Sequence, residues 1–151
     1  SPPMSRLFAR PLLALAAGRF ARRAPPPDRQ MLEAMVAELE ASAIDDATSP
    51  QTFATQSIRI QALLTDRCGN NHLPDIYKRL AGMGTWQLIR GQASSFLTPE
   101  GRRESAADWR RVADCIAVRD IDGAERAGRR LLEHSAARVR QHYDGSARDA
   151  T

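Results

Sequence analysis

Helical periodicity in two stretches constrains this chain more than any other feature. The run SIRIQALLTDRCGNNHL, which begins at Ser57, and the run that begins at Trp109 both repeat apolar residues at three- and four-residue spacing. Each apolar stripe also carries polar residues that face inward, namely Ser57 and Gln61 in the first run and His134 in the second. Helices of this kind favour a bundle that surrounds a small-molecule pocket.

Six helical segments follow from the periodicity and from the residues that interrupt it. The first helix runs from about Met4 or Arg10 to Arg23, and the second from about Asp28 to Ser42. The third begins at a Ser49 N-cap and ends at Gly69-Asn70, and the fourth begins near Asn71. The fifth runs from a Thr98 N-cap to about Arg119, and the sixth from an Asp120 N-cap to Tyr143. A frayed tail is expected over 144–151. No strand pattern appears, so the sequence predicts a single all-α domain.

Small residues are frequent on the first and sixth predicted helices. They include Ala16, Ala17, Ala124, Ala127 and Gly128. Because such side chains leave little bulk between helix axes, they would let helices approach closely.

The positive charge does not form a nucleic-acid stripe. The net charge is +4, but the basic residues are scattered among acidic neighbours on amphipathic helices. Lys78 is the only lysine, and genomic bias explains that as readily as anion binding does. The chain also has no apolar run of the roughly 20 residues that a membrane span needs.

The sequence offers no visible catalytic or metal-binding apparatus. It contains no Ser-His-Asp order, no glycine-rich phosphate loop and no closely spaced inward carboxylates. Cys68 and Cys115 form no CxxC pair, and the three histidines do not complete a zinc spacing. Both cysteines lie in helical patterns and are interpreted as buried thiols, which suits a reducing cytoplasm.

Three segments together resemble a known family. The segment from Leu64 to Leu73, in which GN closes a helix, looks like the FHxxLxxxxGNxxL region of the FCD domain. This is the ligand-sensing C-terminal domain of bacterial GntR-type transcription regulators of the FadR subfamily. The segment CIAVRDIDGAERA is similar to the family's AIxxxDxxxA signature, and RPLLALAAGRFARRAPPPDRQML is similar to its opening helix. The resemblance covers residues 4–143 as one domain.

The resemblance implies an antiparallel bundle of six to seven helices around a central effector pocket. It implies a cytoplasmic, homodimeric regulator that senses a small metabolite such as an organic acid and has no catalytic activity. It also implies a winged helix-turn-helix that binds operator DNA. We expect that reader to be missing from this chain, which would then be the sensing domain of a larger regulator or a free-standing version.

Many family members hold a metal ion in the pocket through an aspartate, a histidine four residues later and two further histidines. By the resemblance, these positions fall on Ser57, Gln61, Trp109 and near Leu131, with His134 one turn beyond. Serine, glutamine and tryptophan are poor ligands for zinc, nickel or manganese. We therefore expect neither a metal nor any other cofactor.

Five residues are the candidate ligand contacts, namely Arg10, Ser57, Gln61, Trp109 and His134. Ser57 and Gln61 would hydrogen-bond either the effector or a neighbouring backbone group. Trp109 is either a pocket wall or ordinary core, and His134 either a contact or a satisfied core histidine. Arg10 matches the family's first-helix arginine and would pair with a carboxylate.

Two other functions remain open on the sequence alone. The first is a small all-helical enzyme that binds a dianionic substrate, which requires several arginines that converge on one cavity with a hydrogen-bond donor opposite. Two or more arginine guanidinium groups inside the bundle would favour it. The second is a basic helical protein that binds nucleic acid directly, which requires salt-sensitive retardation of DNA.

Overall fold

Helices account for nearly all of the chain that the structure describes. The computed structural model describes the backbone of residues 4–67 and 91–149 and the side chains of residues 13–67 and 91–145. The elements are α1 (Met4–Arg23), α2 (Pro26–Ala43), α3 (Pro50–Asp66), a 3-10 turn (Ser94–Phe96), α4 (Pro99–Ala117) and α5 (Ile121–Asp149). These residues contain no strand, so the predicted all-α fold is confirmed. The predicted fourth helix, from near Asn71, lies outside the described residues.

Side-chain caps fix the starts of three helices where the sequence predicted them. Ser49, Thr98 and Asp120 each accept a hydrogen bond from the backbone N–H three residues later, at 3.1, 3.0 and 2.9 Å. Pro50 and Pro99 follow the first two caps. A proline is favourable there because its missing N–H would have no partner inside the helix. Local sequence therefore determines these starts.

Three helix boundaries differ from the sequence prediction. The second helix begins at Pro26 rather than Asp28, since a proline fits the first helical turn. The third ends at Asp66, before Gly69-Asn70, where the Arg67 N–H bonds to a carbonyl one turn back. The fifth predicted helix, which is α4 of the structure, ends at Ala117 rather than Arg119. Arg119 adopts a left-handed φ of 57°, which breaks the helix.

The last helix is longer than predicted. It continues through Tyr143 and Gly145 to Asp149, while the flexible tail over 144–151 stays a prediction. A single glycine inside a helix costs only about 1 kcal/mol relative to alanine. Gly145 alone is therefore not enough to end a helix of 29 residues.

The α4 and α5 helices form an antiparallel hairpin. Asp108 contacts His134, and Glu104, one turn earlier on α4, contacts Arg138, one turn later on α5. The contact nearer the start of α4 is thus the one nearer the end of α5, so the two helices are antiparallel. The connection spans only Val118 to Asp120, so the two helices are necessarily neighbours.

The α5 helix also packs closely on α1. A Cβ atom placed on Gly128 would lie 3.2 Å from the Ala14 Cα, which is tighter than normal packing. The small residue at this position allows the two backbones to meet, as the sequence predicted. The α2 helix packs on both α3 and α4 and completes the bundle.

An aromatic and aliphatic core fills the bundle between these helices. Phe20, Phe53 and Trp109 are its largest fully buried side chains, contributed by α1, α3 and α4. Outside this core, Arg110 of α4 pairs with Glu33 and Glu40 of α2 and thereby joins the two helices at the surface. Within residues 4–67 and 91–149, the search for an apolar helix of membrane-spanning length finds none.

Candidate functional site

Buried polar groups identify the part of the bundle with capacity for a ligand. Three buried side-chain atoms have no hydrogen-bond partner among the described residues, namely Gln56 Oε1, Ser57 Oγ and Arg102 Nε. Ser57 is 1% exposed and Arg102 is 6% exposed. A buried polar group without a partner is rare in folded proteins, because no hydrogen bond offsets the free-energy cost of removing it from water. These atoms are therefore the candidates for contact with a bound molecule.

The predicted contacts Ser57 and Gln61 lie one turn apart on the buried face of α3. The Ser57 Oγ atom is unpartnered among the described residues. The Gln61 side chain donates from Nε2 to the Gln92 Oε1 at 3.3 Å and accepts from the Gln92 Nε2 at 3.4 Å. Gln92 was not anticipated from the sequence, because nothing local connects it to α3. The amide pair holds the Gln61 side chain in a fixed orientation.

Trp109 lies in the core and His134 lies at its edge. Trp109 is 1% exposed on the inward face of α4. The His134 imidazole, on α5, is 33% exposed, and its Nδ1 lies 2.8 Å from the Asp108 Oδ2. The histidine is thus a hydrogen-bonded residue held by its neighbouring helix.

Asp108 is the buried carboxylate of this region, and sequence analysis did not select it. Its side chain is 1% exposed, and its second oxygen accepts a hydrogen bond from the Arg111 guanidinium at 2.9 Å. Its position directly before Trp109, at the border of the apolar stripe, was the available signal. The remaining candidate, Arg10, lies in α1, but its side chain is outside the described residues.

Two arginines of this region lie inside the bundle, and both bind the 3-10 turn. Arg102 of α4 donates from NH1 to the Phe96 carbonyl at 2.8 Å. Arg138 of α5 donates from Nε to the carbonyl and the Oγ of Ser95, each at 3.0 Å, and pairs with Glu104. These guanidinium groups hold one turn of backbone between α4 and α5.

The 3-10 turn connects the two sides of the region. The Phe96 ring meets the Phe53 ring of α3 edge to face, with centroids 4.7 Å apart. The Arg138 guanidinium lies 5.7 Å from the centroid of the same Phe96 ring, within cation–π range. Ser95 contacts Ser135 of α5 at 3.3 Å. Helices α3, α4 and α5 thus share this turn as a common support.

The family metal set does not fit the side chains found here. Ser57 and Gln61 offer neutral oxygens, and Trp109 offers no lone pair that binds a metal. The position near Leu131 is apolar and buried. Residues 4–67 and 91–149 contain no group of three or more histidine, cysteine, aspartate or glutamate side chains with metal-binding geometry. The donor chemistry therefore disagrees with the metal centre that the resemblance implies.

A separate cleft lies between the start of α2 and the end of α4. Its volume is about 470 Å³, and it is lined by Pro26, Arg29, Gln30, Leu32, Glu33, Ala113, Ile116 and Ala117. Among the predicted contacts whose side chains the structure describes, namely Ser57, Gln61, Trp109 and His134, none lines this cleft. The central pocket expected from the resemblance stays a prediction.

Residues 9–134 match the family model of the FCD domain. No curated protein sequence matches the chain.

Proposed function

The chain belongs to the FCD domain family, and on this premise we propose that it is the effector-sensing and dimerisation domain of a GntR-type transcription regulator. The matched segment spans α3, α4 and α5 as far as His134, so it includes the predicted contacts Ser57, Gln61, Trp109 and His134. Its effector is a small organic acid. Operator DNA would be bound only through a winged helix-turn-helix, separate from the bundle, and such a regulator acts in the cytoplasm.

The effector binds without a metal ion in this proposal. The supporting observation is the Ser57 hydroxyl, which is buried and has no partner among the described residues at the position where the family places its aspartate ligand. A hydroxyl there supplies a hydrogen bond to an organic molecule but cannot hold zinc in the way a carboxylate does. Gln61, fixed by its amide pair with Gln92, would supply a further neutral donor or acceptor.

Regulation requires that the effector bind one arrangement of the helices more tightly than another. The 3-10 turn is suited to transmit such a preference, because Phe96 packs on Phe53 of α3 while Ser95 is bonded to Arg138 of α5. A ligand that shifts α3 would therefore act on α5 through this turn. The proposed homodimer would convey that shift to a pair of winged helix-turn-helix domains.

An exposed apolar set supports the dimer. Leu15 of α1 is 42% exposed, and Val118 and Ile121, at the α4–α5 corner, are 75% and 36% exposed. A contiguous patch of such residues would mark an interaction surface. Sedimentation of the purified chain measures the oligomeric state, and a monomer at all concentrations would contradict this part of the proposal.

Native mass spectrometry of the purified chain tests effector binding directly. We expect a co-purified small molecule, or a rise in melting temperature with one member of an organic acid panel. A chelator should leave the melting temperature unchanged, and added zinc should not raise it. If no small molecule binds under any of these conditions, the sensing function is wrong. If chelator lowers the melting temperature and zinc restores it, the metal-free site is wrong.

A further inference from the structure

Arg102 is a buried cation without a counter-charge among the described residues. Its side chain lies at the first turn of α4 and is only 6% exposed. NH1 donates to the Phe96 carbonyl at 2.8 Å, while the Nε atom is buried with no hydrogen-bond partner. No ion pair of the described residues includes Arg102. The adjacent Arg103, by contrast, is half exposed and lies near Glu100.

The carboxylates nearest to Arg102 along α4 are engaged elsewhere. Glu104 pairs with Arg138, and Asp108 pairs with His134 and Arg111. An arginine guanidinium stays charged at any pH at which proteins fold. Burying such a charge costs several kcal/mol unless a partner charge and good hydrogen bonds offset it. One neutral carbonyl offsets only part of this cost, so the site favours an anion.

The position of Arg102 connects it to the proposed effector site. It precedes Trp109 by seven residues, which is nearly two helical turns, so both side chains project from the same inward face of α4. The carbonyl it holds belongs to Phe96, whose ring packs on Phe53, and Phe53 lies one turn before Ser57 on α3. Phe96 thus contacts Arg102 through its carbonyl and the α3 helix that carries Ser57 through its ring.

We propose that Arg102 binds the oxyanion group of the effector and so replaces, with a fixed guanidinium, the positive charge that a metal ion supplies in many relatives. This inference rests on the proposed sensing function. A carboxylate matches the guanidinium fork, since Nε and a terminal nitrogen can donate to its two oxygens side by side. A phosphate offers the same paired oxygens, and the experiment separates the two sources. The apolar flank formed by Phe53 and Phe96 suits the carbon skeleton of an organic acid.

Thermal unfolding and calorimetry of the 151-residue chain with small probe anions test the proposal. The probes are malonate, inorganic phosphate and the uncharged dimethyl malonate, each compared with sodium chloride at matched ionic strength. We expect malonate to raise the melting temperature by roughly 5 °C or more near saturation, and the diester to have no effect. A response to phosphate alone would overturn the assignment of a carboxylate.

The matched variants are Arg102→Gln and Arg103→Gln, which remove the same charge from neighbouring positions of α4. We expect Arg102→Gln to weaken malonate binding by about tenfold to a hundredfold, as loss of charge-assisted hydrogen bonds implies. Arg103→Gln should bind like the original chain. Equal binding by both variants would overturn the proposal. Arg102→Met, which fills the site with an apolar side chain, should lose the malonate response while retaining the fold in anion-free buffer.

The outcomes distinguish this inference from the proposed function. If no anion stabilises the original chain but mass spectrometry detects a bound neutral molecule, the role of Arg102 is wrong and effector sensing stands. If neither anions nor neutral molecules bind, both are wrong. The comparison of malonate with its diester uses only the original chain. It therefore shows whether the chain binds a carboxylate anion even if a variant does not fold.

Discussion

Asp108 and His134 are joined across the α4/α5 hairpin by a 2.8 Å contact between the Asp108 Oδ2 and the His134 Nδ1. The carboxylate is 1% exposed, and its other oxygen accepts a hydrogen bond from Arg111. Both oxygens of a buried charge therefore have partners, which offsets the cost of removing it from water. The contact fixes the register of the hairpin that carries Trp109.

Replacing Asp108 with asparagine should lower the free energy of unfolding by about 2 kcal/mol, because a neutral amide keeps the volume but loses the charge-assisted bonds to His134 and Arg111. Urea denaturation measures the change. Glu133→Gln makes the same chemical change at an exposed position and should shift the stability by less than about 0.5 kcal/mol. Similar values for the two variants would show that the buried contact does not stabilise the hairpin.

Ser57→Ala should leave stability unchanged or raise it by up to about 1 kcal/mol in the absence of effector, since it removes a buried hydroxyl that has no partner among the described residues. Ser95→Ala is the matched control, because the Ser95 Oγ accepts a hydrogen bond from Arg138. That control should cost about 1 kcal/mol. Equal destabilisation by the two changes would mean that Ser57 has a structural partner and is not free to bind a ligand.

Restoring the family donors should create a metal site. The variant combines Ser57→Asp, Gln61→His, Trp109→His and Leu131→His, all at buried positions. Because these side chains supply a carboxylate and three imidazoles, we expect the variant to bind zinc and to gain melting temperature from it. The original chain should do neither.

The control for this gain in melting temperature carries Ser57→Asp, Trp109→His and Leu131→His and keeps the native Gln61. It should bind zinc more weakly, since one ligand is missing. Tight stoichiometric zinc binding by the original chain would contradict the prediction, because the native side chains would then suffice.

Arg110 of α4 holds α2 at the surface. Its guanidinium lies 2.7 Å from a Glu33 carboxylate oxygen and also contacts Glu40, and these hydrogen bonds raise the pKa of Arg110 above its ordinary value. Because the pKa of Arg110 is higher in the folded state, its ion pairs stabilise the fold fully at any pH below the pKa of the arginine in the unfolded chain. This stabilisation is lost only at a pH more alkaline than folded proteins tolerate. The contribution should therefore respond to salt, not to the titration of the arginine.

Arg110→Gln should lower the free energy of unfolding by about 1 kcal/mol at low salt, because the partners are largely solvent-exposed and water screens the pairs. The loss should shrink at high ionic strength. Urea denaturation at two salt concentrations measures it. Arg129→Gln, which removes a single exposed i,i+4 pair with Glu125, should cost less than about 0.5 kcal/mol. An equal cost for both would contradict the inter-helix role of Arg110.

The Cys115 thiol should react slowly at neutral pH. Burial is the main cause that raises its pKa, and the nearby Asp120 carboxylate raises it further. The reactive thiolate is therefore scarce at pH 7, and the rate should keep rising above the ordinary thiol range. Iodoacetamide labelling from pH 7 to 10 in a Cys68→Ser background measures this, with the same protein in concentrated urea as control. A folded-state profile identical to that in urea would contradict the raised pKa.

Sequence patterns predicted the helices because their signals are local. The caps at Ser49, Thr98 and Asp120 act within one turn, and the inward position of Ser57 follows from the spacing of the apolar residues around it. Helix ends were less predictable, as Asp66 and Asp149 show, since fraying and extension differ by small free energies.

The sequence alone determined an all-helical chain, its helix starts and the uncharged side chains at the family's metal positions. Only the tertiary structure decided which polar groups meet: His134 with Asp108, Gln61 with Gln92, and Arg102 with the Phe96 carbonyl. Helix periodicity assigns a side chain to a face but leaves its partner open. Partners separated by 26 or 31 residues are chosen by how the helices pack, and that packing buries Arg102 inside the bundle.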